Sequence, residues 1–380
     1  MSDPTDRRRL PRWLRVLATV FVLLMAFVGA PLLYIEGSCR APLADVAARS
    51  PGSAPGLALA SINAPDYKRS EARTYLAFAA WYTVYSFDDF ARFVARNDES
   101  AFPYASHIAG FWKSFCAINR LTVQRGEPVG GAKAMIYTIG VGYSVELAVK
   151  GLYENSVGRV TEWWRGPQLT VEDKFARSVA KHYARFLYAF PWYRYPFGQR
   201  LQQLWEHTWP QIGGDMVRSL ERKLALSAEY GAKSVYGWVI GQVLVAAGTP
   251  AKGDIMLVVD ALPSGLLSRA RNIEVVWPLE GDKQLIRVPR YPAFTVIVRG
   301  LARANQRVHE IAGNDEILMT VVLRKDDKPV IAGAVELFSM PLNGRPGFRR
   351  AGVKVEVARL TGIIRKLEQS GATIEQLYDY

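Results

Sequence analysis

VLATVFVLLMAFVGAPLLYI, residues 16 to 35, runs for twenty residues without a charge. A bilayer core of about 30 Å takes roughly 20 apolar residues of helix to cross, so this stretch has the length of one transmembrane helix. Its flanks orient it. Arg7, Arg8, Arg9, Arg12 and Arg15 precede it, whereas Ile35 to Asp66 carries only Arg40 and Arg49, and that asymmetry keeps the N-terminus in the cytoplasm. Trp13 and Tyr34 stand at the two ends, where interfacial rings collect. Residues 1–15 then form a cytoplasmic basic tail, 16–35 a single-pass anchor in the inner (plasma) membrane, and the remainder lies on the extracytoplasmic side. Val28-Gly29-Ala30 offers the rival reading of a cleaved signal peptide. Against it, the apolar run continues past Ala30, and Pro31 would stand first in the mature chain.

Working outward, residues 36–66 hold Pro42, Pro51, Pro55 and Pro65 among small residues and read as an extended tether. At 380 residues, 49% hydrophobic and 22% charged, the chain has material for about two globular domains beyond the anchor. The net charge is +13, and five arginines against Asp3 and Asp6 in the tail supply only a small part of it. A basic body favours anionic partners. Outside the cytoplasm, nucleic acid leaves that set and the anionic membrane surface or an envelope protein remains. No Asn-x-Ser/Thr sequon occurs, in keeping with a bacterial periplasm. The same oxidising compartment allows Cys39 and Cys116 to pair, with two separate thiols as the alternative.

Residues 67–250 read as a mainly α-helical domain. Apolar runs at Thr74–Tyr85 and Pro103–Ala117 have helical character. Thr170-Val171-Glu172-Asp173 is a helix start, followed by Phe175, Val179, Tyr183 and Leu187 on one face. Lys174, Arg177, Lys181 and Arg185 line the opposite face as a basic stripe, either solvated or facing lipid headgroups. Phe190 to Pro210, with Trp192, Tyr193, Tyr195, Phe197, Trp205 and Trp209, reads as a loop and a short helix, capping the core or lying in a membrane interface. The runs 135–149 and 235–248 fall short of a membrane span and read as core helices, with an interfacial placement as the alternative.

After Thr249-Pro250, β-branched runs at 255–259, 273–277, 294–298, 317–323, 330–338, 353–357 and 373–377 predict strands, with helices at 301–311 and 360–369. Residues 251–380 are therefore expected to be an α+β domain with one sheet and helices on one face, of ferredoxin-like type, without an internal repeat. The fold class is mixed: an anchor, a helical middle and an α+β end.

No motif identifies a reaction. His107, His182, His207 and His309 are far apart in sequence, and neither HExxH nor CxxC occurs, so no metal and no cofactor are expected. Tyr143, Glu146 and Lys150 share one helix face. Glu146 inside an apolar run calls for a buried partner or an acid–base role. Glu206 and His207 between Trp205 and Trp209 are the other acid–base candidates. Tyr143, Lys150, Arg177, Lys181, Arg185 and Trp205 are candidate binding residues. These features predict a membrane-anchored extracytoplasmic binding or scaffolding protein acting on envelope proteins or anionic lipid. The alternative is an envelope enzyme using carboxylate and histidine chemistry on a lipid or cell-wall substrate.

Overall fold

A computed structural model describes residues 33, 35–37, 39, 67–124, 130–207, 215–247, 253–267, 272–327 and 332–380. The expected cytoplasmic tail, most of the anchor and residues 40–66 of the tether lie outside the described residues. Among the described residues no helix is long and apolar enough to cross a membrane.

The middle of the chain is helical: α1 (Ala72–Val94), α2 (Tyr104–Gln124), α3 (Gly130–Tyr153), α4 (Arg159–Arg165), α5 (Val171–Leu187), α6 (Phe197–His207) and α7 (Met216–Ala247). One π-helical turn, Glu154–Gly158, joins α3 to α4. Thr170 caps α5 through a reciprocal box with Asp173. Gly140 lets α3 approach α2, because a Cβ there would meet the rings of Phe111 and Trp112. Cys39 is buried and bonded to Cys116 of α2, with their Cα atoms 4.7 Å apart. Beside it Glu36 accepts hydrogen bonds from Lys133, at 2.9 Å, and from the Tyr137 hydroxyl of α3. The first residues of the expected tether are thus held against the helical body.

The C-terminal part is antiparallel α+β, but it holds two sheets where one was expected. β1 (Asp254–Asp260), β2 (Glu274–Leu279), β3 (Lys283–Pro289) and β4 (Val308–Ile311) form the first, in the order β2-β3-β1-β4. β5 (Glu316–Arg324), β6 (Ala334–Pro341), β7 (Phe348–Glu356) and β8 (Thr373–Leu377) form the second, in the order β6-β7-β5-β8. Helix α8 (Pro292–Arg303) precedes β4 and α9 (Val357–Gln369) precedes β8. Apart from a four-residue helix, Ser264–Leu267, after β1, each half therefore runs strand, strand, strand, helix, strand with the same order. This is a repeated strand topology, and it differs from the βαββαβ path of a ferredoxin-like unit.

The strand expected at 294–298 is the centre of α8. Pro292 opens that helix, and Phe294, Val298, Leu301 and Ala302 form its buried stripe. The β-branched residues yield to that periodicity. The helix expected at 301–311 ends at Arg303, and 308–311 is β4.

Helices α8 and α9 meet between the sheets, where Val298 and Leu301 join Leu360, Ile364 and Leu367 in one core with Leu257, Ile286, Met319 and Val353. The far side of the second sheet carries the helical body. Phe78 of α1 packs on Phe338 with the rings tilted and their centres 4.6 Å apart, and meets Tyr378 edge-on at 5.6 Å. Both faces being covered, eight of the nine residues of β5 are buried. Thr74 donates to the Tyr378 carbonyl and accepts from the Leu318 amide at 3.1 Å. At the other end of α1, Asp89 accepts from the amides of Asn343 and Gly344 at 2.8 and 2.7 Å. The adjacent Asp88 pairs with Arg92 instead, at 2.7 Å, as its helix spacing suggests.

Gly352 of β7 lies directly under the Phe338 ring, and a Cβ would overlap it. Gly352→Ala is expected to lower stability by about 1–3 kcal/mol, because Phe338 must leave the α1 interface. Urea unfolding of the two proteins checks this, and unchanged midpoints would show that the ring is not fixed there.

Candidate functional site

The site is built on α7, a helix sorted the opposite way from a soluble amphipathic one. Of its charged residues, Arg218, Arg222 and Lys223 are buried and Glu221, Glu229 and Lys233 are half-buried. Its exposed residues from Met216 to Gln242 carry no charge. The inward groups form a ladder of alternating sign. Arg218 holds Asp173 at 2.9 Å, Glu162 at 3.3 Å and Glu221 at 3.0 Å, and Arg165 takes the other oxygen of Asp173 at 2.9 Å. Arg222 bridges Glu154, at 2.6 Å, and Glu99. Lys150 stands 3.3 Å from both Glu99 and Glu229. Lys233 joins Glu229 to Glu146 at 2.7 Å each.

Local sequence explains how these groups converge. The π-turn offsets the α3–α4 surface by one residue and turns Glu154 inward to Arg222. Gly158 is needed there, since a Cβ would strike the Glu154 carboxylate. The α5 cap fixes Asp173, whose carboxylate serves both the cap and two arginines. Burial alone would raise Asp173, but the guanidinium groups of Arg218, Arg222 and Arg165 outweigh it and hold its carboxyl down to about 2. Glu99 is likewise raised by burial and pulled down to about 2 by Arg222 and Lys150. Burial prevails at Glu162, whose pKa is raised.

At the Lys150–Lys233 end the ladder opens into a narrow cleft between α1, α3, α5 and α7. Its walls are aromatic. The Lys233 ammonium lies 5.3 to 5.9 Å from the ring centres of Phe197, Tyr183 and Phe87, and Lys150 lies 4.7 Å over Phe90. The carboxylates on this cleft, Glu99, Glu146 and Glu229, all face cations. As built, it is a self-paired polar lining inside an apolar cage.

Of the sequence candidates, the structure gathers Tyr143, Glu146 and Lys150 here. Glu146 and Lys150 line the cleft, and the buried Tyr143 hydroxyl lies 2.5 Å from Ser86 Oγ at its edge. The partner of Glu146 is Lys233 on α7. The others are elsewhere. Arg177 donates to the Asn97 carbonyl at 3.0 Å, and Lys181 and Arg185 are exposed on α5. Trp205 is exposed on α6, with Lys223 4.6 Å over its ring. Glu206 is exposed and bonded to Gln202, and of His207 only the backbone is described.

Sequence reasoning missed a second polar cluster at the junction with the β6–β7 turn. His107 Nδ1 lies 2.7 Å from Ser86 Oγ, and its Nε2 lies 3.0 Å from the Asn343 amide nitrogen and 3.4 Å from Asp89. The two ring nitrogens bridge Ser86 on one side to Asn343 and Asp89 on the other, and the imidazole tautomer decides which of them donates. The partners are 21 and 236 residues from His107, so no local spacing could reveal them. No group of three His, Cys, Asp or Glu side chains among the described residues is arranged to hold a metal ion.

Comparison with protein-family models, curated proteins and solved structures finds no match to this chain.

Removing Arg222 leaves Glu99 and Glu154 buried and facing each other, so Arg222→Ala is expected to cost about 3–5 kcal/mol in urea unfolding. A loss below about 1 kcal/mol would exclude a structural ladder. Asp173 and Glu99 have folded pKa values below those of the unfolded chain, so their contribution is complete above about pH 5 and lost as the pH falls toward 2. Asp173→Asn should therefore lose less of its urea midpoint between pH 5 and pH 3 than the wild type does.

Proposed function

We propose that this protein is a membrane-anchored, extracytoplasmic binding protein of a bacterial envelope, with residues 16–35 as its anchor and anionic lipid as the surface its basic body serves. The observation that carries this reading is the Cys39–Cys116 bridge, four residues beyond the end of the uncharged stretch. A disulfide belongs to an oxidising compartment, which agrees with the side of the membrane that the N-terminal arginines assign to the body. The net charge of +13 favours an anionic surface. An envelope protein is the alternative partner.

The enzymatic alternative requires a carboxyl in the cleft free to exchange protons. Glu146 is held by Lys233 at 2.7 Å, and Glu206 is exposed on another helix, so the geometry favours binding over acid–base catalysis.

Expressed in bacteria, the chain should stay in the membrane pellet after alkaline extraction. Protease added to spheroplasts should digest the body, and thiol-blocking reagents should find Cys39 and Cys116 unreactive until reduction. A protected body with two reactive thiols would contradict the reading.

A further inference from the structure

We infer that the outward face of α3 and α7 is itself a membrane-binding surface, lying against the lipids of the leaflet from which the anchor emerges. This rests on the anchor reading and adds that the body is seated on the bilayer. The two helices run antiparallel on either side of the cleft, linked through long side chains by Tyr153 to Glu221, Lys150 to Glu229 and Glu146 to Lys233. Every ionisable side chain of α7 from Arg218 to Lys233 turns toward the body, and its exposed positions include Leu220, Leu224, Val235 and Trp238. On α3 the exposed residues between Ala134 and Leu152 are also uncharged, with Val149 and Leu152 among the most exposed.

Twenty-seven residues of α7, Met216 to Gln242, span about 40 Å, and a helix face about 10 Å wide over that length, with the uncharged face of α3 added across the cleft, makes a ribbon beyond the few hundred Å² of apolar surface that a soluble monomer exposes. Charges turned inward and apolar residues outward fit a surrounding less polar than the protein interior, which is hydrocarbon. What identifies the occupant is the position of the anchor. Glu36 is tied to Lys133 and Tyr137 in the first turns of α3, so the uncharged stretch preceding it ends at one end of this ribbon. Trp163 and Trp164, both exposed, stand at the ribbon's other end next to the Glu162–Arg218 pair. Indole rings at the edges of an apolar face suit the headgroup boundary, with the face sunk about 5–10 Å.

Placing a photoreactive phenylalanine analogue at position 149, 224 or 235 of the full-length chain and irradiating native membranes tests this. Lipid adducts at all three positions and none at 181 or 185 are the expected result. Adducts to protein at 149, 224 and 235, including a second copy of this chain, would overturn the inference. So would the absence of any adduct there while the chain stays in the membrane pellet. A chain missing from that pellet would overturn the anchor reading as well.

Discussion

Arg222 and its neighbours on α7 lie inside the helical body, and each of these charges needs a partner there. A guanidinium taken out of water is costly by several kcal/mol unless its hydrogen bonds are supplied. That requirement explains features that otherwise look unrelated. The π-turn at Glu154–Gly158 turns one carboxylate inward, the Thr170 cap fixes another at Asp173, and the 3₁₀ turn Glu99–Ala101 brings in a third. Lys150 and Lys233 extend the ladder and form the polar lining of an aromatic cleft. With α7 committed inward in this way, its uncharged side is left facing out.

The C-terminal part supplies a platform. Its two halves have the same strand order and enclose α8 and α9, and among the described residues the helical body packs on the second sheet. The outer face of the first sheet is covered near Tyr67, which packs on Val258 and Leu285, whereas Trp277 on edge strand β2 stays exposed. Thr74 at one end of α1 and Asp89 at the other lock the body to β5, β8 and the β6–β7 turn. The cleft and the α3–α7 ribbon are therefore held on a rigid mount, because both ends of the connecting helix are hydrogen-bonded into sheet structure.

Much of the architecture was legible in the sequence, and the gaps have physical causes. Periodicity and capping residues placed the helices, and Thr170 and Asp173 behave as their spacing suggests. The β-branched run at 294–298 misled, because β propensity is weak beside a proline start and a buried helical stripe. The two halves share a strand order with no repeat at a fixed period in the sequence, so only coordinates could reveal it. Glu146 was marked as needing a buried partner or an acid–base role; it is half-buried and pairs with Lys233, which lies on another helix. Periodicity finds the charged and apolar sides of α7 without telling which one faces inward, since that depends on Glu99, Glu154, Glu162 and Asp173 arriving from other elements. The Ser86–His107–Asn343 cluster was invisible for the same reason.

The inside-out order of α7 is most directly measured with one nitroxide. Both native cysteines are joined in the disulfide, so Leu220→Cys supplies a single free thiol midway along the outward face of the charged half of α7. In proteoliposomes of the full-length chain, collisions with dissolved oxygen should exceed those with a water-soluble nickel chelate at this position. A label relaxed mainly by the nickel chelate would place this face in water and contradict the membrane-seated body.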